Sequence, residues 1–251
     1  MEPWHYDTAP DLNQPLLDRL RRFPREPAML VYGVRLLAAL LLRSWLRVYH
    51  RLRIVGREHL PTDRPFVLVA NHASHLDALC LLAAMPLRQL HRVFPAAAED
   101  YFFVSTPRLL LSAVIINALP FDRHIDPQHS LHLCQQLLEH PGNILVIFPE
   151  GTRSVTGEVD TFKLGVGLVL AGTPSPVVPC YLHGTYAAWP KGAWFPKPRR
   201  IQVTIGQPHV YAHLSPGKES AIRICQELRE AVLALASDPA LSVTPPEGEG
   251  S

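Results

Sequence analysis

The chain has 251 residues, 47% of them hydrophobic, and carries 24 Lys and Arg against 22 Asp and Glu for a net charge of +2. That length and apolar content can supply one sizeable core without staples, and so small a charge argues against a general nucleic-acid binder. The four cysteines (Cys80, Cys134, Cys180, Cys225) are widely spaced with no C-x-x-C, which reads as reduced thiols in a cytosol-facing domain. The 13 histidines show no metal-ligand spacing, and no Walker loop, G-x-G-x-x-G or G-x-S-x-G is present.

Residues 1–27 are polar, contain proline and lack the basic-then-apolar order of a signal peptide. Residues 11–22 suit a short helix. Residues 28–50 are the most hydrophobic segment, but their longest uninterrupted apolar run is 36–42, between Arg35 and Arg43. A simple spanning helix needs about 20 apolar residues. As a helix, Arg35, Arg43, Arg47 and Arg51 advance by eight, four and four, which places them along one drifting basic stripe, with Leu30, Leu37, Leu41, Trp45 and Tyr49 largely elsewhere. Such a basic amphipathic helix suits the plane of an anionic lipid surface. Packing on the protein's own core, with snorkelling arginines, is the alternative.

An edge strand is expected at 51–55 and a fully buried strand at 66–70, followed by the turn Asn71-His72-Ala73-Ser74-His75-Leu76-Asp77 and a buried helix to Met85. Ser74 and Asp77 have the S-x-x-[DE] spacing of a capping box. A polar turn from a strand's carboxyl end into a helix is also where open α/β sheets place their chemistry. Histidine is the usual general base near neutral pH, and a carboxylate holding one ring nitrogen leaves the other free to take a proton. His72 and Asp77 are five residues apart, about 140° around a continuous helix. They can meet only if His72 lies in the turn and Asp77 in the first helical turn.

Further along, 93–97 reads as a weaker strand. Residues 99–117 read as two helices broken at Pro107, which would line an acyl groove or pack in the core. Residues 118–121 lead into Asp122-Arg123, where Arg123 suits a bidentate phosphate contact or an ion pair with a nearby acid. A helix over 128–139 is followed by a strand over 143–148 and the turn Pro149-Glu150-Gly151-Thr152-Arg153-Ser154. Thr161 is the expected cap of a helix carrying Lys163 in its first turn. Strands follow at 177–182 and 200–205, and between them a Pro-rich stretch contains Trp189 and Trp194, either as an interfacial patch or as a structured loop. A last helix spans 220–236 with Ile222, Leu228 and Val232 on its core face, and 238–251 has the composition of a disordered tail.

His-x4-Asp after one strand and Phe-Pro-Glu-Gly-Thr-Arg-Ser (148–154) after a later one resemble the glycerolipid acyltransferases, which acylate glycerol-3-phosphate and lysophosphatidate. Leu119-Pro120-Phe121-Asp122-Arg123 looks like the family's second block, and Val178-Pro179-Cys180-Tyr181-Leu182-His183-Gly184 like its fourth. The resemblance covers roughly residues 50–210, and four blocks in order are far more specific than one. It implies a catalytic pair, His72 and Asp77, and acceptor binding by Arg123, Glu150, Gly151, Thr152, Arg153 and Lys163. In this scheme Arg153 pairs with phosphate, while Glu150 bonds glycerol hydroxyls or orients Arg153.

The expected fold is a single α/β domain (51–237) with a mostly parallel twisted sheet flanked by helices, preceded by the amphipathic membrane-associated helix. The expected reaction moves an acyl group from acyl-coenzyme A or acyl carrier protein to a lysolipid hydroxyl, most simply 1-acylglycerol-3-phosphate, at the cytosolic membrane face. No cofactor, metal or nucleic acid is implied. Ala118 stands near a common family glycine, and no lysine precedes Lys163, although many members carry one between the first two blocks. Arg92 or Arg108 are possible substitutes. A different lysolipid, such as an amino-acid lipid, is the alternative acceptor, and a membrane-bound thioesterase or a lipid-binding module is the alternative class.

Overall fold

A computed structural model describes residues 29–98, 119–121 and 127–237. The expectations for 1–27, 99–117, Arg108, Asp122, Arg123 and 238–251 lie outside the described residues. The centre is β2 (Phe66–Ala70), buried at all five positions. Its alternation sends Phe66, Leu68 and Ala70 into one core and Val67 and Val69 into another. A strand covered on both faces needs a continuous apolar run, which this segment is.

Parallel partners flank β2: β5 (Ile144–Ile147) on one side, with Val67 opposite Leu145, and β6 (Val177–His183) on the other, with Val67 opposite Val177. Beyond β5 come β3 (Val93–Ala98) and β4 (Leu119–Phe121), both parallel. Beyond β6 comes β7 (Gln202–Ile205), antiparallel to it, and then β1 (Arg53–Val55) at the edge. The order is β1-β7-β6-β2-β5-β3-β4, one mostly parallel seven-stranded sheet. Helices α1 (Met29–Tyr49) and α2 (Asp77–Ala84) cover the Phe66 face. The Val67 face is covered by α3 (Pro127–Glu139), α4 (Gly165–Leu170) and α6 (Lys218–Ser237), while the short α5 (Thr185–Ala188) follows β6. At the α4–α6 contact a methyl on Gly167 would stand 2.6 Å from Ala221 Cα.

Three expectations are corrected. First, α4 begins at Gly165, so Thr161 is no cap and Lys163 precedes the helix. The Asp160 carboxylate takes the Thr161 N–H at 2.6 Å, and the Lys163 N–H goes to Pro149 O at 2.8 Å. These bonds hold the segment extended across the turn after β5 and delay the helix. Second, Ile222 is 40% exposed; the core face of α6 is Ala221, Ile224, Cys225, Leu228 and Val232, spaced i, i+3, i+4, i+7 and i+11.

Third, the arginine stripe is outward only at its end: Arg47 and Arg51 are exposed, but Arg35 and Arg43 are not. Arg35 is buried, and the Arg43 guanidinium donates to Met85 O at the end of α2. Arg57 reaches Ala83 O nearby. The last carbonyls of α2 have no donor within their own helix, and these arginines supply two. Val34, Leu37, Leu41 and Val48 are turned outward instead, with Leu41 64% and Val48 79% exposed. Among the described residues no helix is long and apolar enough to cross a membrane.

Candidate active site

The parallel strands β2, β5 and β6 end at the same edge of the sheet, and the turns that follow them form the site. After β2, the buried Asn71 amide spans to β6: Nδ2 donates to Leu182 O at 3.2 Å and Oδ1 accepts from Leu182 N–H at 2.7 Å. This doubly bonded amide fixes where the turn leaves the sheet. His72 comes next, its side chain about a fifth exposed, and Asp77 is fully buried at the start of α2.

His72 Nδ1 lies 2.8 Å from Asp77 Oδ2. The same oxygen accepts the backbone N–H groups of Ala73 and Ser74, both at 2.7 Å. Cap and candidate catalytic pair are therefore one arrangement: one carboxylate oxygen accepts two turn amides and faces Nδ1. The hydroxyl half of a capping box is altered, since Ser74 Oγ accepts from Leu76 N–H and donates to Trp189 O at 2.7 Å. With Nδ1 protonated, Nε2 keeps its lone pair and can take a proton. The ring stacks on Phe148 with centroids 4.2 Å apart.

The turn after β5 grips the His72 peptide from both sides. Glu150 Oε1 accepts His72 N–H at 2.7 Å, and Ser154 N–H donates to His72 O at 2.7 Å. Glu150 Oε2 accepts Asp160 N–H at 3.2 Å, so both oxygens of this buried carboxylate are engaged by amides. Burial pushes the Glu150 carboxyl above its ordinary range, and those two amide donors pull it back. Burial, then the Glu150 charge, likewise raises the Tyr181 phenol.

Between Glu150 and Ser154 the chain exposes Thr152 and half-buries Arg153, whose Nη1 is 2.6 Å from His75 Nδ1. The same Nη1 lies 2.5 Å from His75 Nε2, so the guanidinium sits against both ring nitrogens. Burial lowers the His75 imidazole from its ordinary 6.5, Arg153 and His72 lower it further, and Asp77 opposes them. Gly151 has φ +71°, and a methyl there would stand 2.8 Å from Lys163 Nζ. The positive φ favours glycine here, and the end of the Lys163 side chain lies across the turn. Two cations, Arg153 and Lys163, thus attend one short turn.

Sequence reasoning brought together His72, Asp77, Glu150, Gly151, Thr152, Arg153 and Lys163, and these residues converge here. Arg92 does not join them. It packs against Gly142 just before β3, at the opposite edge of the sheet. Asn71, Ser154, His75 and Phe148 were missed as functional parts. A buried polar residue directly after a buried strand was the available signal for Asn71.

The sequence profile of the Acyltransferase family matches residues 51–183, from β1 to the end of β6. The chain belongs to the Acyltransferase family. It is 32% identical to a 1-acyl-sn-glycerol-3-phosphate acyltransferase of Chlamydomonas reinhardtii over 209 residues, covering 81% of this chain and 56% of the relative. Identity to the chloroplastic enzyme of that name from Arabidopsis thaliana is 34%, over 58% of this chain and 39% of the relative. Identity to that of Bacillus subtilis is 29%, over 73% and 87%. The chain thus spans about half the length of the first curated relatives it matches. The solved 1-acyl-sn-glycerophosphate acyltransferase of Thermotoga maritima superposes with a TM-score of 0.63 at 24% identity, covering 82% of this chain and 80% of that one, and shares the fold of this family member.

Proposed function

We propose that the chain is an O-acyltransferase that moves a fatty acyl group from an acyl thioester to a hydroxyl of 1-acylglycerol-3-phosphate, giving phosphatidate. The observation that carries this reading is the 2.8 Å His72–Asp77 bond in the turn after β2, bonded to the turn after β5 that bears Arg153 and is crossed by Lys163. The names of the relatives support the acceptor. His72 Nε2 takes the proton of the acceptor hydroxyl while Asp77 steadies the imidazolium. The oxygen attacks the thioester carbonyl, the C–O bond forms and the C–S bond breaks. The thiolate of coenzyme A or acyl carrier protein leaves and recovers the proton from His72. Arg153 and Lys163 hold the acceptor's phosphate, with Arg123 as a further proposed contact. Glu150 acts by fixing the His72 peptide.

The outward apolar stripe of α1 supports peripheral attachment to a membrane, which we assign to its cytosolic face. The test is thiol release from palmitoyl-coenzyme A in lipid micelles with a panel of lysolipids, with products identified by mass spectrometry. Phosphatidate formed only with lysophosphatidate is the expected result. Stimulation by another lysolipid alone would reassign the acceptor, and release with no acylated lipid would replace acyl transfer with hydrolysis.

A further inference from the structure

We infer that the loop between α5 and β7 is a second lipid-contacting element, which seats Trp194 and Phe195 in an anionic bilayer beside α1. Trp194 is 88% exposed and Phe195 79%. Two adjacent large aromatics at full exposure mark a contact surface when the backbone carrying them is fixed, and here it is. Trp189 Nε1 donates to Ala193 O at 2.9 Å, Ala193 N–H to Pro190 O at 3.1 Å and Lys197 N–H to Ala188 O at 2.8 Å. The loop cannot fold its aromatics inward without losing these bonds.

The same loop is joined to the end of α1. Tyr49 OH donates to Pro196 O at 3.1 Å, and Ile201 N–H donates to His50 O at 3.0 Å. The loop that carries Trp194 and Phe195 is therefore fixed to the end of α1, whose exposed apolar residues include Leu37, Leu41 and Val48. Charge selects the occupant. Lys191, Lys197, Arg199 and Arg200 are exposed on the loop, and Arg47 and Arg51 are exposed at the end of α1. No acidic residue occurs between Glu26 and Glu58, or between Asp160 and Glu219. A two-fold contact between copies would set cations against cations. An anionic bilayer matches both the charge and the aromatics, with the indole at headgroup level.

The loop is also bonded to the catalytic turn, because Trp189 O accepts Ser74 Oγ at 2.7 Å and His75 N–H at 3.4 Å. Lipid seating and the orientation of His72 belong to one bonded unit. This inference rests on the lysolipid reading above for its purpose, but its test does not pass through catalysis.

The full chain is sedimented with vesicles of phosphatidylcholine and with vesicles in which one third is phosphatidylglycerol. Trp194→Ser/Phe195→Ser should melt at the wild-type temperature and lose about tenfold or more of its partition onto the anionic vesicles. Brominated lipid should quench wild-type emission, and Trp194→Phe should remove the quenched component. Partition within twofold of wild type, with Trp194 emission unquenched, overturns the inference. So does a lipid-free dimer that the double variant abolishes, since the occupant would then be a second copy. Lipid partition without acyl transfer would overturn the reaction alone, and acyl transfer without loop-dependent partition would overturn the loop alone.

Discussion

Asp77 Oδ2 accepts three hydrogen bonds, two from turn amides and one from His72. Stability and turnover should therefore separate when the two partners are removed in turn. Asp77→Ala strips the acceptor from the Ala73 and Ser74 amides, on residues buried at 3% and 0% exposure. Each buried donor left unsatisfied costs about 1–3 kcal/mol, so the variant should lose roughly 2–6 kcal/mol of the roughly 5–15 kcal/mol typical of a domain. His72→Ala keeps both amide bonds and forfeits one side-chain bond plus the stack on Phe148, about 1–2 kcal/mol together. Turnover should fall roughly 100-fold or more in each single variant. The double variant should turn over no worse than His72→Ala, because the pair acts as a unit. Urea unfolding gives the first set of numbers and thiol release the second. Equal stability of the two single variants would refute the structural role of Oδ2. Turnover losses that multiply in the double variant would refute the shared catalytic role.

Arg153→Ala should raise the acceptor's KM far more than the thioester's, and steady-state kinetics with each substrate varied would detect an equal effect on both. His75 is held neutral, with its folded-state value below the ordinary 6.5, so the unfolded chain binds the extra proton first. Its contribution is fully present above about 6.5 and is lost as pH falls from there toward the folded value. Wild type minus His75→Phe, followed by thermal melts across that window, should show this slope, together with a rise in acceptor KM at the acid end as His75 gains a charge beside Arg153. Gly151→Ala places a side chain at φ +71° against Lys163, which should cost about 1–2 kcal/mol and raise acceptor KM. Gly167→Ala drives a methyl into Ala221 on α6, which should cost about 1–3 kcal/mol by urea unfolding with acceptor KM unchanged.

The apolar run of residues 66–70, with turn residues after it, was enough to place a buried strand, and the same holds for 144–147. The four ordered blocks were enough to bring His72, Asp77 and Arg153 into one site. Strand neighbours were not legible. Periodicity shows that β5 is buried but not that it inserts between β2 and β3, nor that β7 turns antiparallel to β6. The rotation of α1 was misread because its sequence carries both an arginine stripe and a leucine stripe. The choice between them is made by α2, at whose end the Met85 carbonyl takes the Arg43 guanidinium. Lys163 was placed on a helix because Thr161 looks like a cap, and a local bond to Asp160 defeats that signal.

The turn after β5 has two duties that the sequence shows only as one. Its middle carries Arg153, with Lys163 lying across it, and its ends, Glu150 and Ser154, hold the N–H and C=O of His72. A base and a phosphate site built on separate loops could drift apart. Here His72, the proposed base, stands on the turn after β2 and Arg153 on the turn after β5, and the Glu150 and Ser154 bonds to the His72 peptide, both 2.7 Å, tie the two turns together. Preorganisation of this kind is what converts binding of a remote phosphate into correct placement of a hydroxyl. It also explains why the Glu150 carboxylate is buried against amides although burial raises its pKa. Its bonds set the position of His72, and on the proposed reading any substitution that frees that peptide should reduce turnover.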